Sequence, residues 1–448
     1  MKNTMFFHQK YILNLFNKPD TLAVLTSYPN RGELYSTGKS GVASYAKNVV
    51  SNMRNKTIVF CEYDTSPEIY REKNTLVIRC FKNGSISMYA ELAEALHAVP
   101  NVKKLLVQYD FSLYGGMINN AVMIGFLAML RIIKYDITMT LHHVVTDIRK
   151  LHGHVGLDLT HPYDQMKADT YNNIFQLFYK SLPLATNRIV VLEEFLREDL
   201  SKYLHKESIV TIPHGVDTRV RPIGKDAARR ALGFNNDQYI ITFFGYINWF
   251  KGADEFVRLL SDTQKILGKK VRFVIAGGKS PTLAGRAYYE TYYAQLMQKA
   301  RSMKNLTITG YVPQSAIRNY MGASDLLVLP YRHLMTASGA LSLIFSHGIP
   351  FIVSEAVDTL LETHDIKDAL LQTGLSAKDL SFALNAKSLR ATIESVLKNG
   401  KKAKSIQAAG IIAKARSYSV IGKHYERVIF APQPELVPQP QFGYTKSI

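Results

Sequence analysis

Short apolar runs rich in β-branched residues alternate with longer segments of helical period along most of the chain. In the first half, the runs that predict strands are residues 21–28, 56–63, 75–81, 104–111, 137–144, 188–192 and 208–215. The second half repeats the alternation, with buried parallel strands predicted at 239–246, 271–278, 306–311, 326–331 and 350–354. This alternation predicts an α/β fold with doubly wound sheets, and the two series predict two such domains.

Two segments between the strands predict helices of different kinds. The clearest helix begins at Gly41, because apolar side chains recur on one helical face over residues 42–53. The longest apolar stretch, residues 121–133, is interrupted by Arg131 and is shorter than the roughly 20 residues that span a bilayer. It therefore predicts a buried core helix and not a membrane span.

The strand–helix pattern is interrupted at residues 214–229, where a PHGVD turn precedes a charged stretch. We therefore expect a first domain over residues 1–215 and a second over 216–415. A further helical segment is expected at 416–430. The proline- and glutamine-rich residues 431–448 predict a flexible tail.

The formal net charge of +19 favours anionic partners such as nucleotides, nucleic acid or anionic lipid. Residues 2–18 and 398–423 carry lysines and arginines without an acidic residue. Such segments are typical of a solvated basic surface and equally of a surface that contacts a membrane, where the apolar side chains of residues 6–16 would add an anchor. No nucleic-acid-binding module is recognisable, so we expect no nucleic-acid partner.

Cys61 and Cys80 are the two cysteines, and each lies in an apolar run. Two cysteines cannot form a disulfide framework for 448 residues, so a reducing, cytoplasmic setting and two buried thiols are predicted. The first twenty residues interrupt their apolar positions with polar ones, and no signal peptide is predicted.

Ligands of doubly wound sheets bind beyond the carboxyl ends of the strands, which directs attention to the residues there. Ser40 and Gly41 open a predicted helix after the first strand, where free N–H groups suit a phosphate. The same pair is typical of an ordinary helix N-cap. His142 and His143 follow another predicted strand, where a histidine can bond a sugar hydroxyl or assist a leaving group, or can be purely structural.

The second half offers a lysine and another glycine-bearing helix start. Lys251 lies just past a predicted strand, where an ammonium can neutralise a diphosphate. Residues 336–339 open a later helix and predict a second anion site. Neither a Walker loop nor a Gly-x-Gly-x-x-Gly fingerprint is present, which argues against a nicotinamide-dependent dehydrogenase.

In this order and spacing, the pieces resemble the retaining GT-B glycosyltransferases of family 4, also called group 1. The resemblance spans residues 22–429. It is carried by GVASYAKNVV, VQYDFSLYGG, TLHHV, TIPHGVD, FFGYINWFKG, FVIAGG and SGALSLIFSHGIP. Within the family, the chain looks closest to a mannosyltransferase-like subgroup. The resemblance implies two Rossmann-like domains that face an interdomain cleft, with the helix at 416–430 crossing back onto the first domain.

The resemblance also implies roles for individual residues. His142 and Lys251 match catalytic positions, near the donor sugar and at the diphosphate respectively. The donor-binding residues that it implies are Ser40, Gly41, Tyr246, Ser338, Gly339 and Ala340.

Two departures from the family pattern concern the donor site. Tyr246 stands where many members have an arginine. Met335 and Leu343 stand where many members have two glutamates, the second of which usually contacts the ribose. These departures keep open the alternative of a non-catalytic binding or regulatory protein.

The function implied is transfer of a hexose, with retention of configuration, from a UDP- or GDP-sugar to an acceptor hydroxyl on a glycan, a lipid-linked carrier or a small molecule. No cofactor is expected beyond this substrate. No divalent metal is expected either, because the sequence contains no Asp-x-Asp. We expect a cytoplasmic protein that contacts the inner membrane face through its basic ends.

Overall fold

The computed structural model describes residues 9–34, 40–398 and 400–431. Within them lie two largely parallel sheets, each connected through helices. The α/β fold with two Rossmann-like, doubly wound domains is therefore confirmed. Lys2, Phe6, Phe7 and nearly all of the predicted tail lie outside the described residues.

The first domain contains an eight-stranded sheet in the order β3-β4-β2-β1-β5-β6-β7-β8. All of its pairings are parallel except that of β3 with β4. Its strands are β1 (Leu22–Leu25), β2 (Thr57–Glu62), β3 (Glu68–Glu72), β4 (Thr75–Phe81), β5 (Lys104–Tyr109), β6 (Asp136–Leu141), β7 (Arg188–Val191) and β8 (Ile209–Thr211). The strand order reverses between β1 and β5, which places a topological switch point there.

The second domain contains a seven-stranded sheet in the order β10-β11-β9-β13-β14-β15, with β12 also paired to β11. Its strands are β9 (Tyr239–Phe244), β10 (Lys265–Ile266), β11 (Lys269–Ala276), β12 (Leu306–Ile308), β13 (Leu326–Leu329), β14 (Phe351–Ser354) and β15 (Ser381–Phe382). Its switch point lies between β9 and β13.

Helices connect the strands in both domains. Those before residue 216 are α1 (Lys10–Phe16), α2 (Gly41–Ser51), α3 (Met88–His97), α4 (Met117–Ile132), α5 (His152–Val155), α6 (Pro162–Ala185) and α7 (Glu194–Leu200). Those after it are α8 (Lys225–Leu232), α9 (Ala253–Leu260), α10 (Ala287–Arg301), α11 (Gln314–Ala323), α12 (Gly339–His347), α13 (Asp358–Leu361), α14 (His364–Gln372), α15 (Ala377–Leu380), α16 (Ala386–Lys398), α17 (Lys401–Ala415) and α18 (Tyr418–Phe430). Short 3₁₀ turns lie at Ile148–Leu151, Lys206–Ser208, Trp249–Lys251 and Glu355–Val357.

Each apolar run of the sequence contains a strand, and the central strands are buried along their whole length, as in β1, β2 and β4. Burial of each large aliphatic side chain contributes about 1.5–3 kcal/mol to folding, which explains why these runs locate the sheets. The buried cysteines were also predicted correctly, since Cys61 lies in β2 and Cys80 in β4.

The expectation of a buried core helix at residues 121–133 is met on one face only. One side of α4 packs into the core through Met123, Phe126 and Leu127, but Ile132 on the other side is 78% exposed. The helix covers the outside of the sheet, so one of its faces meets the core and the other does not. No helix among the described residues is long and apolar enough to cross a membrane.

Membrane contact through the basic ends stays a prediction. In α1 the side chain of Phe16 is buried in the first domain and those of Ile12 and Leu15 are half-buried, whereas Tyr11 is 80% exposed. Near the other end, Lys401 Nζ lies 2.7 Å from Asp379, and Lys402 Nζ lies 3.3 Å from Asp325. Carboxylates distant in sequence therefore neutralise part of a run that contains no acidic residue of its own.

The chain crosses between the domains at Val216 and returns at Ser417. The N–H of Val216 donates to the Arg416 carbonyl at 2.8 Å, and the N–H of Tyr418 donates to the Val216 carbonyl at 3.2 Å. After the second crossing, α18 packs on α2 of the first domain. Gly422 permits this close contact, since a Cβ there would lie 2.7 Å from the carbonyl oxygen of Asn52.

A buried ion network joins the two domains beside these crossings. The Arg416 guanidinium donates to Glu193 of the first domain at 2.7 Å and to both carboxylate oxygens of Asp365 in the second, at 2.5 and 2.8 Å. Burial raises the pKa of Glu193 to about 7 despite the neighbouring guanidinium. For Asp365 the guanidinium outweighs burial, and its pKa is lowered.

Candidate active site

A cleft of about 1390 Å³ lies between the carboxyl ends of the two sheets. The first domain lines it with residues that follow β5 and β6 and with the start of α2. The second domain lines it with residues that follow β9, β11 and β13. Both switch points thus open into one cleft, which is where ligands of such sheets bind.

Lys251 enters this cleft from the 3₁₀ turn after β9. The N–H of Lys251 donates to Asn248 Oδ1 at 3.2 Å, and Gly252, with φ +69°, ends the turn. The Nζ atom lies beside Gly245, where an added Cβ would come within 3.3 Å of it. Burial lowers the pKa of Lys251 to about 8, and no carboxylate among the described residues forms a salt bridge with it. A half-buried ammonium without a carboxylate partner is stabilised when an anion binds next to it.

The N-terminus of α12 lines the same cleft. Ser338 caps the helix, because its Oγ accepts from the N–H of Leu341 at 3.2 Å. The N–H groups of Gly339 and Ala340 belong to the first turn, which lacks intrahelical acceptors, and they meet no acceptor in the described part of the chain. Together with the helix dipole, they form a suitable site for a phosphate.

The start of α2 is the corresponding feature of the first domain. Ser40 Oγ accepts from the N–H of Val42 at 3.0 Å, so Ser40 is an N-cap, and both Ser40 and Gly41 also line the cleft. The N-cap and phosphate-site interpretations are thus compatible. The loop residues 35–39 lie outside the described residues.

Glycine stands at different positions of the cleft for two different reasons. A Cβ on Gly277 would lie 1.9 Å from the Gly245 carbonyl oxygen, so close backbone packing requires glycine there. By contrast, a Cβ on Gly41 or Gly339 would meet no atom of the described chain within 4 Å, and neither residue has a positive φ. Packing leaves these two glycines unexplained, whereas the close approach of a ligand would explain them.

We therefore expect Gly339→Val to raise the Kd for a nucleoside diphosphate at least about tenfold, because the new side chain occupies the space of the phosphate. The melting temperature should change by less than about 2 °C, since the side chain meets no protein atom. Isothermal titration of UDP and a thermal melt measure the two quantities. Gly41→Val should behave in the same way, and normal UDP binding by both variants would leave only the N-cap interpretation.

His142 lies at the carboxyl end of β6 with a side chain that is only 5% exposed. Its Nε2 is 2.8 Å from Gln108 Oε1, and its ring meets the Tyr45 ring edge-on at 5.0 Å between centroids. Burial lowers the pKa of His142 to about 3, so the ring is neutral near pH 7. Its carbonyl accepts from Thr336 Oγ1 at 2.7 Å, which links the two domains across the cleft.

A histidine–aspartate pair that we did not select from the sequence lies beside it. His143 Nδ1 forms a salt bridge with Asp110, which also accepts from the N–H and Oγ of Ser112 at 2.8 and 2.6 Å. Burial disfavours both charges, but the pairing outweighs it, so the pKa of His143 is raised and that of Asp110 lies well below its usual range. Each of the two residues lies at the end of a run that predicts a strand, but only the structure shows that these strands, β5 and β6, are neighbours.

Positive charge converges in the cleft. Lys251 is near enough to His143 to oppose the rise in the pKa of that imidazole. His143, Arg286 and Lys251 together, after burial, lower the pKa of His154. All four side chains line the cleft, so its centre favours an anion.

An aromatic pair lines another part of the second domain's wall. The rings of Tyr246 and Tyr311 stack at 6.3 Å between centroids, with an angle of 22° between their planes. Tyr246 was selected from the sequence and Tyr311 was not. Tyrosine rings at a ligand cleft offer a flat surface on which a nucleobase can stack.

Met335 and Leu343 make apolar contacts in place of the family's carboxylates. Met335 packs against a small cluster that joins the domains, which includes Val145, Leu151 and Phe250. Leu343 packs against the core of the second domain while still lining the cleft. The side chains at these positions therefore present an apolar surface to a sugar donor and form no hydrogen bonds with it.

No group of three or more His, Cys, Asp or Glu side chains in the described ranges is arranged so that it could hold a metal ion.

Comparison with known proteins finds a family match within the second domain. Residues 224–412 match the family described as glycosyl transferases group 1. Alpha-galactosylglucosyldiacylglycerol synthase of Streptococcus pneumoniae is 27% identical over 146 residues, which are 32% of this chain and 37% of that protein. The chain thus matches little more than a third of that relative's length.

Solved structures extend the similarity to both domains. Sucrose-phosphate synthase from Thermosynechococcus elongatus aligns with a TM-score of 0.67 at 14% identity, covering 91% of this chain and 98% of that one. The Anabaena protein HepE, solved with UDP-glucose, aligns with a TM-score of 0.61 at 14% identity, covering 91% and 98%. The fold is therefore that of the GT-B glycosyltransferases, and the match to the group 1 family model lies within the second domain.

Proposed function

We propose that the protein is a glycosyltransferase that moves a hexose from a UDP-sugar to an acceptor hydroxyl with retention of configuration. The observation that carries this proposal is the half-buried ammonium of Lys251, which has no carboxylate partner among the described residues and lies in one cleft with the N-termini of α2 and α12. Relatives support the choice of chemistry, because one is named a galactosylglucosyldiacylglycerol synthase and another was solved with UDP-glucose.

The proposed reaction breaks the bond between the anomeric carbon and the β-phosphate oxygen of UDP. The acceptor oxygen forms the new bond on the same face of the sugar, and its proton passes to the departing phosphate oxygen. Negative charge grows on the diphosphate as the bond breaks. Lys251 and the N–H groups of Gly339 and Ala340 would stabilise that charge more strongly in the transition state than in the bound substrate, which is what accelerates the step.

Other residues of the cleft receive supporting roles in this proposal. His142, held neutral by burial, would bond a hydroxyl of the donor sugar. The pair of His143 and Asp110 would add positive charge on the first-domain side. Tyr246 and Tyr311 would flank the base in place of an arginine. Since cationic and N–H groups already face the diphosphate, we propose that no metal ion takes part.

The nucleotide choice is tested by thermal melts with UDP, GDP and ADP. A ligand that binds the native state at 100 times its Kd adds about 2.7 kcal/mol to stability, so a bound nucleotide raises the melting temperature measurably. We expect the largest rise with UDP. The mannosyl preference implied by the sequence stays a prediction, and a rise with GDP alone would favour it. A rise with none of the three would contradict the proposed function.

Nucleotide binding should also depend on pH through Lys251. With a pKa of about 8, Lys251 is protonated at pH 7 and largely neutral at pH 9. If only the charged form binds, the Kd for UDP rises roughly tenfold between these pH values. Titration calorimetry measures this change. The same loss in Lys251→Ala would show that another group is responsible.

A further inference from the structure

Helices α4 and α6 pack against each other and present an apolar surface on the outside of the first domain. The side chains that define this outer apolar face are Ile118, Met129 and Ile132 of α4 and Ile174, Leu177 and Leu184 of α6. Ile118 is 71% exposed, Leu177 70% and Leu184 68%. Single exposed apolar side chains are ordinary, but two adjacent helices with such stripes mark an interaction surface.

The outer apolar face is continuous with the interior of the cleft. Between the two helices the cleft is lined by Ala121 and Ile124 of α4 and by Phe175 and Phe178 of α6. Ile174 and Leu177 belong both to this lining and to the outer face. An apolar groove therefore leads from the surface towards the pair of Asp110 and His143, and the full cleft exceeds the about 300–1000 Å³ typical of a site for one small ligand.

The dimensions and charges of this face suit a lipid surface. Ile118 and Ile132 are separated by about 21 Å along α4 at the usual helical rise, more than the about 15 Å of hydrocarbon in one bilayer leaflet. Residues 111–135 and 170–192 contain no acidic residue. Lys134 and Lys180 are exposed there without a salt bridge to any described carboxylate, as suits contact with phosphate headgroups.

We propose that the acceptor is a membrane lipid whose hydrocarbon chain lies in the groove between α4 and α6, with the outer apolar face resting on the bilayer. This inference rests on the proposed glycosyl transfer and specifies the class of its acceptor. The lipid's polar head would reach the cleft centre through the groove, while the donor enters from water. A second copy of the chain seated on this face would block the groove, which argues against a dimer there.

Vesicle flotation and a transfer assay test this proposal with a matched pair of variants. Ile132→Gln/Leu184→Gln removes apolar contact from the outer face at exposed positions, and Leu371→Gln is the control, since Leu371 is 59% exposed on α14 of the other domain. We expect the wild type and the control to float with phosphatidylcholine vesicles even in about 0.5 M salt, because apolar contact is not screened. The double variant should bind vesicles about 10- to 100-fold more weakly with an unchanged melting temperature.

The transfer assay offers vesicles that contain diacylglycerol or, separately, a polyprenyl phosphate. The proposal is supported if the wild type incorporates sugar into either lipid and the double variant incorporates less. The lipid that is labelled then identifies the type of hydrocarbon chain. Transfer to soluble sugars alone would overturn the proposal. A dimer of the wild type that is absent in the double variant would also overturn it. So would vesicle binding that is abolished by salt but is unchanged in the double variant. If UDP raises the melting temperature but the wild type neither floats nor modifies a lipid, this inference fails while the proposed function stands.

Discussion

Lys251→Ala is expected to lower kcat by about 10- to 1000-fold, the range found when one group that stabilises transition-state charge is removed. Lys251 forms no salt bridge with a described carboxylate, and its Nζ lies 5.9 Å from the centre of the Phe250 ring, so its loss should disturb little of the fold. Burial lowers its pKa to about 8, so the surrounding protein disfavours the charge. The variant should therefore melt at the same or a higher temperature than the wild type in the absence of nucleotide.

The assay for this variant is UDP release under saturating donor, with Lys299→Ala as the control. Lys299 is an exposed lysine of α10 in the same domain and does not line the cleft. The control removes the same charge from the protein as a whole, so its kcat should match the wild type. Equal turnover by Lys251→Ala and wild type, in folded protein, would remove Lys251 from the mechanism.

The second large effect is expected for Arg416→Met, which leaves the carboxylates of Glu193 and Asp365 buried without their cation. Breaking one side of a buried ion network typically costs about 3–5 kcal/mol. At about 2–4 °C for each kcal/mol in domains of this size, the melting temperature should fall by about 6–20 °C. Calorimetry measures the change, and a loss of domain cooperativity should accompany it because the network joins both domains.

The control for this prediction is Arg390→Ala, which breaks an exposed pair with Glu394 on one helix and should cost less than about 0.5 kcal/mol. The pH dependence gives a further check. The folded pKa of Glu193, about 7, lies above the ordinary value, so its contribution to stability is lost as pH rises towards and through 7. The loss of unfolding free energy caused by Arg416→Met should therefore be larger at pH 8 than at pH 5. An equal loss at both pH values would contradict the proposed pairing of Arg416 with Glu193.

The sheets could be predicted from the sequence because nearly every strand is buried and apolar. The exceptions have physical causes. Glu68–Glu72 forms an antiparallel edge strand that is polar, and Lys265–Ile266 and Ser381–Phe382 are too short to produce an apolar run. The predicted strand at 137–144 ends at Leu141, so that His142 and His143 leave the sheet for the cleft.

Tertiary arrangement was the part that the sequence could not supply. The apolar stretch at residues 121–133 predicted a buried helix, but an apolar stretch does not reveal which faces of the helix other elements cover. Ile132 of α4 is exposed. A charge run such as residues 398–423 reads as uncompensated until Asp325 and Asp379 are brought to it by the fold. The choice of His142 over His143 had the same limit, since only the structure shows that Asp110 pairs with the second histidine.

The central claim is that this cleft transfers a sugar from a UDP-linked donor, with Lys251 stabilising the departing diphosphate. The most direct test is to incubate the protein with UDP-hexoses labelled in the sugar, together with lipid vesicles, and to measure both UDP release and label in the lipid fraction. We expect the wild type to release UDP and to label the lipid in equal amounts, and Lys251→Ala to do so about 10- to 1000-fold more slowly. If folded wild-type protein releases UDP from none of the donors, the proposed glycosyl transfer is contradicted.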